Sequence, residues 1–230
     1  MQIVHIFFLL LATLTSGLAD VKAPLVLLPR GMAANEALPV AIWLHGYGAN
    51  PSKILEEPLY QAVSDRLHIA IVGVYATNQI NSESFEWSEL PTFDYSQITD
   101  SLVKAEQENH VKFSKKMLFG FSQGACVAVE IASRYPEVFS GAIVLSPGAN
   151  QHPGPLLPHD ANKRQIYYLS CGAAEAAGNL EFMRSYAIYL SKIGATVSSR
   201  EVPNMKIHSR PPDWSDRFPE WAKVILGMKE

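Results

Sequence analysis

Cysteine is scarce in this chain, which has two cysteines, Cys126 and Cys171, among its 230 residues. So few cysteines exclude a disulfide-rich scaffold and a zinc site built from four thiolates. The sequence also lacks the Gly-x-x-x-x-Gly-Lys loop that cradles nucleotide phosphates, and no spacing of His, Cys and Asp is typical of a metal site. We therefore expect neither a cofactor nor a metal ion.

Positive charge is not in excess either. Lys and Arg number 19 against 22 Asp and Glu, which gives a formal net charge of −3 at pH 7. A nucleic-acid backbone is attracted by a basic surface, so we expect no nucleic-acid partner. Hydrophobic residues make up 48% of the chain and charged residues 18%, a balance that excludes an intrinsically disordered protein. The sequence leaves the oligomeric state open.

Charged residues are absent from Met1 to Ala19. The apolar run in this segment ends in small and hydroxyl-bearing residues, and Gly17 and Ala19 fit the −3 and −1 positions of a signal peptidase site. The pattern predicts a signal peptide over residues 1–19, cleaved after Ala19, and a secreted or periplasmic protein. An uncleaved membrane anchor and a buried strand or helix remain as alternatives. No second run approaches the length of a membrane span, so we expect no stable membrane insertion of the mature protein.

Residues 20–230 alternate between two kinds of pattern. Continuous apolar runs of strand length suit strands buried on both faces, and they begin at Val40, Ile69, Met117, Ala142, Ile166 and Ala195. Helical periodicity is found between and after them, over residues 54–67, 95–110, 123–135, 180–193 and 214–228. This alternation predicts a single α/β domain, with a mostly parallel sheet covered by helices on both faces.

Ser122 is the candidate nucleophile. It is the central residue of Gly120-Phe-Ser-Gln-Gly124, which follows an apolar strand and precedes a helical segment. On such a sharp strand-to-helix turn the glycines avoid Cβ clashes, and the serine hydroxyl lies at the positive end of the helix. A structural glycine turn is the alternative interpretation.

A nucleophilic serine needs a base and an orienting acid, which follow it in the chain when it occupies this kind of turn. His208 lies in a late loop, after the last predicted strand and before the last helix, where the base is expected. Glu175 is the acid nearest to the end of the strand that begins at Ile166, and Glu181 is the second choice. The alternatives are a surface histidine and a solvated loop carboxylate.

The turn His45-Gly46-Tyr47-Gly48 ends the first predicted strand. Backbone N–H groups of such a turn and of the residue after the nucleophile can form an oxyanion hole. These N–H groups would belong to Tyr47 and Gln123, unless the turn is an ordinary glycine turn.

Taken together, these motifs resemble the α/β-hydrolase superfamily. Within it, the chain is similar to the small carboxylesterase, lysophospholipase and acyl-protein thioesterase group, from about Pro39 to the C-terminus. The matching pieces are His45-Gly46, Gly120-Phe-Ser-Gln-Gly124, Ser170-Cys-Gly172 and the late His208. The chain departs from the family pattern at Glu175, where the family usually has Asp, and at Ile207, where it often has Gly.

The resemblance implies an α/β-hydrolase fold and a serine esterase that cleaves a small-molecule carboxylic ester. It also suggests that Trp87 lies beside an acyl pocket and binds substrate, although plain packing is the more common role of such an aromatic residue. A thioesterase or a lysophospholipase would use the same three residues. A non-catalytic secreted protein that retained the fold is the third possibility. Cys126 and Cys171 could pair in an oxidising compartment or remain two buried thiols.

Overall fold

The computed structural model describes residues 22–87, 96–148 and 159–229. The predicted signal peptide, residues 1–19, lies outside the described residues. None of the helices within the described ranges is long and apolar enough to cross a membrane.

A seven-stranded sheet forms the centre of the molecule, in the order β1-β3-β2-β6-β7-β8-β9. All neighbouring pairs are parallel except β1 with β3, which is antiparallel. The strands of this sheet are β1 (Leu25–Leu27), β2 (Ala37–Leu44), β3 (Ala70–Val74), β6 (Lys112–Phe121), β7 (Phe139–Leu145), β8 (Ile166–Gly172) and β9 (Thr196–Val202). The six apolar runs of the sequence are the six parallel strands, and a mostly parallel sheet is confirmed.

A separate hairpin, formed by β4 (Asn78–Asn81) and β5 (Ser84–Glu86), contacts the end of the sheet. Phe85 of the hairpin pairs with Ala49, and its carbonyl accepts a hydrogen bond from Gly48 N at 3.0 Å. The hairpin therefore supports the turn that follows β2. The sequence analysis did not predict it.

The helices alternate with the strands along the chain. They are α1 (Lys53–Glu56), α2 (Pro58–Leu67), α3 (Ser96–Asn109), α4 (Gln123–Arg134), α5 (Ala177–Lys192) and α6 (Trp214–Ile225), with a 3₁₀ turn over Asp160–Arg164. The single helix predicted over residues 54–67 is wrong in one respect, because it is divided at Pro58. Proline restricts the preceding residue to extended angles, and Glu57 accordingly has φ −95° and ψ 115°.

Side chains of the sheet alternate between two hydrophobic cores, one on each face. Val40, Ile42 and Leu44 of β2 pack with α3, α4 and α5 on one face. Ala41 and Trp43 pack on the other face, with α2 and α6. Burial on both faces explains why the strands are continuously apolar, and it confirms the predicted arrangement of helices on both faces.

Candidate active site

Ser122 occupies the turn between β6 and α4. Its backbone angles, φ 55° and ψ −122°, are strained for a residue with a Cβ atom. The flanking glycines make the turn possible, because a Cβ on Gly120 would lie 2.2 Å from the carbonyl oxygen of Gly124. A Cβ on Gly124 would lie 2.1 Å from the carbonyl oxygen of Leu44. The turn thus needs glycine at both positions for steric reasons.

Glu175 and His208 are brought together from two different loops. Glu175 follows β8 and His208 follows β9, at the same edge of the sheet as Ser122 because these strands are parallel. His208 Nδ1 donates a hydrogen bond to Oε1 of Glu175. The imidazole also packs on the ring of Phe121, the residue before Ser122, with 4.7 Å between the ring centroids.

The Glu175 carboxylate is buried, with 8% of the residue exposed, and several donors surround it. Asn179 Nδ2 donates to Oε1 at 2.7 Å, while Ser146 Oγ at 2.9 Å and the Gly172 N–H at 3.3 Å donate to Oε2. Burial by itself would raise the pKa of Glu175, but the hydrogen bonds from His208 and these donors outweigh it and lower the pKa. Glu175 is therefore ionised at neutral pH, as the orienting acid must be.

Ser122 and His208 open onto one cavity of about 350 Å³, which is also lined by Trp43, His45, Gly46, Tyr47, Ala49, Asn50, Lys53, Phe121, Ser209 and Arg210. The Ser122 hydroxyl makes no hydrogen bond to His208 among the described residues. A serine–histidine contact of this type often forms only when substrate closes the site.

Two backbone donors stand beside Ser122. Gly46 approaches Ser122 so closely that a Cβ on it would lie 3.2 Å from Ser122 Cβ, which places the turn containing Tyr47 next to this serine. The Gln123 N–H belongs to the first residue of α4, so it has no partner within the helix. Neither the Tyr47 N–H nor the Gln123 N–H donates to an acceptor in the described part of the chain. They remain the predicted oxyanion donors.

Trp87 lies behind this turn, with 1% of its surface exposed. Its indole Nε1 donates to the carbonyl of His45 at 2.8 Å, and its backbone N–H donates to Oε1 of Gln123 at 3.0 Å. Trp87 therefore joins the two segments that carry the predicted oxyanion donors. It is not among the residues that line the cavity, and its role in substrate binding remains a prediction.

His45 is buried and neutral. Its Nδ1 donates to the carbonyl of Gly46 at 2.8 Å, and its Nε2 accepts from the Ala76 N–H at 3.2 Å. Burial lowers the pKa of His45 to about 4, although the bond to Gly46 raises it in part. His45 thus fixes the turn without taking part in proton transfer at neutral pH.

Arg210 attaches the loop of His208 to the start of α2. Its guanidinium makes two hydrogen bonds of 2.7 Å to the carboxylate of Glu57 and one of 2.8 Å to the hydroxyl of Tyr60. Both partners belong to the start of α2, so the loop that carries His208 is attached to the helix layer of that face.

The two cysteines are free and buried thiols. Cys126 lies in α4 and Cys171 in β8, and burial raises the pKa of the first to about 11 and of the second to about 12. Within residues 22–87, 96–148 and 159–229, no group of three or more His, Cys, Asp or Glu side chains could hold a metal ion.

The sequence matches a known protein family. The family model named Esterase, described as "Putative esterase", matches residues 22–179. The chain belongs to this family. It is a carboxylic ester hydrolase of the serine hydrolase type. No curated protein matches the sequence significantly.

Solved structures show that this esterase has the α/β-hydrolase fold. The carboxylesterase of Bacillus cereus is 17% identical, with a TM-score of 0.61, and the match covers 90% of this chain and 95% of that one. An S-formylglutathione hydrolase from Agrobacterium tumefaciens is 18% identical with a TM-score of 0.67, over 91% and 92% of the two chains. A fluorophosphonate-binding serine hydrolase of Staphylococcus aureus is 15% identical with a TM-score of 0.59, over 88% and 91%.

Three residues that shape the site were not predicted from the sequence. Ser146 and Asn179 contact Glu175, and Arg210 fixes the loop that carries His208. Asn179 could have been found from its spacing, because it follows Glu175 by four residues near the start of a predicted helix. Ser146 and Arg210 carry no such signal, since their partners are far away in the sequence.

Proposed function

We propose that this esterase acts through an acyl-enzyme on Ser122. His208 takes the proton of the Ser122 hydroxyl as it attacks the ester carbonyl, while Glu175 orients the imidazole and stabilises its cation. Water activated by His208 then releases the acid. The observation that carries the proposal is that His208, hydrogen-bonded to Glu175, opens onto the same cavity as Ser122 on its strained turn.

The N–H groups of Tyr47 and Gln123 are the proposed oxyanion hole. Each donor of this kind contributes roughly 3 to 4 kcal/mol to transition-state stabilisation. Trp87 supports both donors at once, through the carbonyl of His45 and the side chain of Gln123. This bracing would keep the two N–H groups fixed while the carbonyl becomes tetrahedral.

The size of the cavity favours short or moderate acyl groups. Its volume of about 350 Å³ lies near the lower end of the range for small-molecule sites, roughly 300 to 1,000 Å³. A long lipid chain would extend beyond such a cavity. We therefore propose a small soluble ester as the substrate.

Ester turnover by a nucleophile variant tests the proposal. We would compare p-nitrophenyl acetate hydrolysis by the wild type, by Ser122→Ala and by Ser191→Ala, a control at an exposed serine of α5. We expect Ser122→Ala to lose at least about 10⁴-fold in kcat, because nucleophile and base act as a unit, while the control is unchanged. Fluorophosphonate should label the wild type on the peptide that contains Ser122. Equal turnover by all three proteins would refute the proposal, because Ser122 would then not be the nucleophile.

Thioester hydrolysis is the second candidate. It is favoured by the similarity to the S-formylglutathione hydrolase, since S-formylglutathione is a thioester. A panel with one acyl group presented as an alkyl ester, a thioester and a lysolipid separates the alternatives. We expect the highest kcat/KM for the alkyl ester, and a higher value for the thioester or the lysolipid would reassign the substrate class.

We also propose that the protein is exported and loses residues 1–19. The support is the uncharged segment that ends in Gly17 and Ala19. Mass spectrometry of the mature N-terminus should find Asp20, and a chain that starts at Met1 would contradict cleavage.

A further inference from the structure

Ser146 occupies a junction between the strands that carry the nucleophile and the acid. It directly follows β7, which lies between β6 and β8 in the sheet. The Ser122 N–H donates to the carbonyl of Leu145 at 3.0 Å, and the Ser146 N–H donates to the carbonyl of Ser170 at 2.8 Å. The backbone at residues 145 and 146 is therefore bonded to both neighbouring strands.

The side chain of Ser146 contacts Glu175 and the residue that follows His208. It is buried, with 1% of the residue exposed, and its Oγ lies 2.9 Å from Oε2 of Glu175 and 3.1 Å from the carbonyl oxygen of Ser209. Ser209 is the residue after His208. One hydroxyl therefore contacts the carboxylate of the acid and the backbone of the loop that carries the base.

The two oxygen atoms of the Glu175 carboxylate accept hydrogen bonds from different sets of donors. Oε1 accepts from His208 and Asn179, and Oε2 accepts from Ser146 at 2.9 Å, from the Gly172 N–H at 3.3 Å and from the Cys171 thiol at 3.5 Å. Ser146 gives the shortest bond to Oε2. A glutamate has one more rotatable bond than an aspartate, so its carboxylate needs an additional anchor to present a fixed oxygen to the imidazole.

The backbone of Ser146 is strained. Its φ of 42° is in the left-handed region, which is unfavourable for a residue with a Cβ atom. Glycine would adopt the same angle freely. A serine that is kept in this conformation, where glycine would be unstrained, indicates that its hydroxyl makes a contribution that compensates for the strained backbone.

We infer that Ser146 is a positioning residue of the esterase. Its hydroxyl fixes the Glu175 carboxylate in position relative to the loop that carries His208. The inference rests on the proposed function, because it takes Glu175 as the acid of the triad. Ser146 lines no part of the cavity, so it acts through Glu175 and not on substrate.

Two substitutions of Ser146 separate the effect of its hydroxyl on activity from the effect of its strained backbone. Ser146→Ala removes the hydroxyl and keeps the strain, whereas Ser146→Gly removes both. The matched control is Ser170→Ala on β8, because Ser170 is equally buried, at 1% exposed, and its hydroxyl makes no hydrogen bond within the described residues. Thermal unfolding would be recorded for every variant, so that activity is compared between folded proteins.

We expect both Ser146 variants to lose about 10- to 100-fold in kcat with little change in KM, because a hydrogen bond to a charged group has about this value. The acid limb of the kcat/KM profile should move to lower pH, since a misplaced carboxylate stabilises the protonated base less well. A purely structural serine would lower the unfolding temperature and leave this limb in place. Ser170→Ala should match the wild type in both measurements.

Wild-type kcat and an unmoved acid limb in Ser146→Ala would overturn the inference. Recovery of activity in Ser146→Gly alone would also overturn it, because backbone strain and not the hydroxyl would then be responsible. The proposed function fails separately, if Ser122→Ala retains turnover, so the two failures are distinguishable.

Discussion

At the scale of single residues, Glu175 shows how a carboxylate can be fixed without being exposed. It accepts hydrogen bonds from His208, Asn179 and Ser146, which belong to three different segments of the chain. Its position at the end of β8 was predictable, because the acid must follow the nucleophile at that edge of the sheet. The hydrogen bond from Ser146 to its Oε2 atom was not predictable, because Ser146 is 29 residues away in the sequence and reaches Glu175 only through tertiary packing.

Replacing Glu175 by Gln tests the acid directly. Gln keeps the shape and an oxygen acceptor, but it removes the charge that stabilises the histidine cation. We expect kcat to fall about 10³- to 10⁴-fold, as when the acid of a serine triad is neutralised. Steady-state kinetics on p-nitrophenyl acetate at pH 7 would measure the loss.

Glu181→Gln is the control for this substitution. Glu181 was the second candidate in the sequence, and the structure places it on α5, exposed to solvent. We expect its removal to leave kcat unchanged. Full activity in Glu175→Gln together with a loss in Glu181→Gln would assign the triad acid to Glu181.

At the scale of the elements, hydrophobic periodicity was sufficient for the parallel strands and for most of the helices. It could not predict β1 or the β4–β5 hairpin, because these strands have three or four residues and β4 is exposed throughout. The hairpin matters for the site, since Phe85 bonds the turn that contains Tyr47. Such support comes from tertiary contacts, which the hydrophobic periodicity of a short segment does not predict.

The junction of β2, β6 and α4 leads to a prediction about Gly124. A Cβ at this position would lie 2.1 Å from the carbonyl oxygen of Leu44 and 2.4 Å from that of His45, and backbone atoms cannot move aside cheaply. We expect Gly124→Ala to lower the free energy of unfolding by about 1 to 3 kcal/mol or more, as overpacking does. Urea denaturation at pH 7 would measure the change.

Gly148→Ala provides the comparison. A Cβ on Gly148 would meet no atom closer than 3.5 Å, which is ordinary van der Waals contact. We expect its unfolding midpoint to be close to that of the wild type. If both variants were equally stable, close contact between α4 and β2 would not explain the second glycine of the motif.

At the scale of the whole molecule, the site lies where loops from both faces meet the carboxyl ends of the parallel strands. The Arg210–Glu57 pair attaches the base loop to α2, and Trp87 joins the end of β2 to the start of α4. These links cross long distances in sequence, so the site and the global fold depend on each other. Buried His45 belongs to the same set of links, and its protonation should be visible in the stability of the entire domain.

The pH dependence of unfolding tests this coupling. The pKa of His45 is about 4 in the folded protein, against about 6.5 in an unfolded chain. Between these values the unfolded chain binds a proton that the folded protein does not, so stability falls as the pH decreases through this window. Linkage gives a loss of about 2 kcal/mol between pH 7.5 and pH 5 from this group.

Urea denaturation at the two pH values would be measured for the wild type, His45→Asn and His110→Asn. His110 is an exposed histidine with φ 52°, a left-handed conformation that Asn tolerates, so its variant controls for loss of a histidine. We expect the wild type and His110→Asn to lose about 2 kcal/mol more than His45→Asn on acidification. The same loss in all three proteins would show that His45 is not the buried neutral group on which the turn depends.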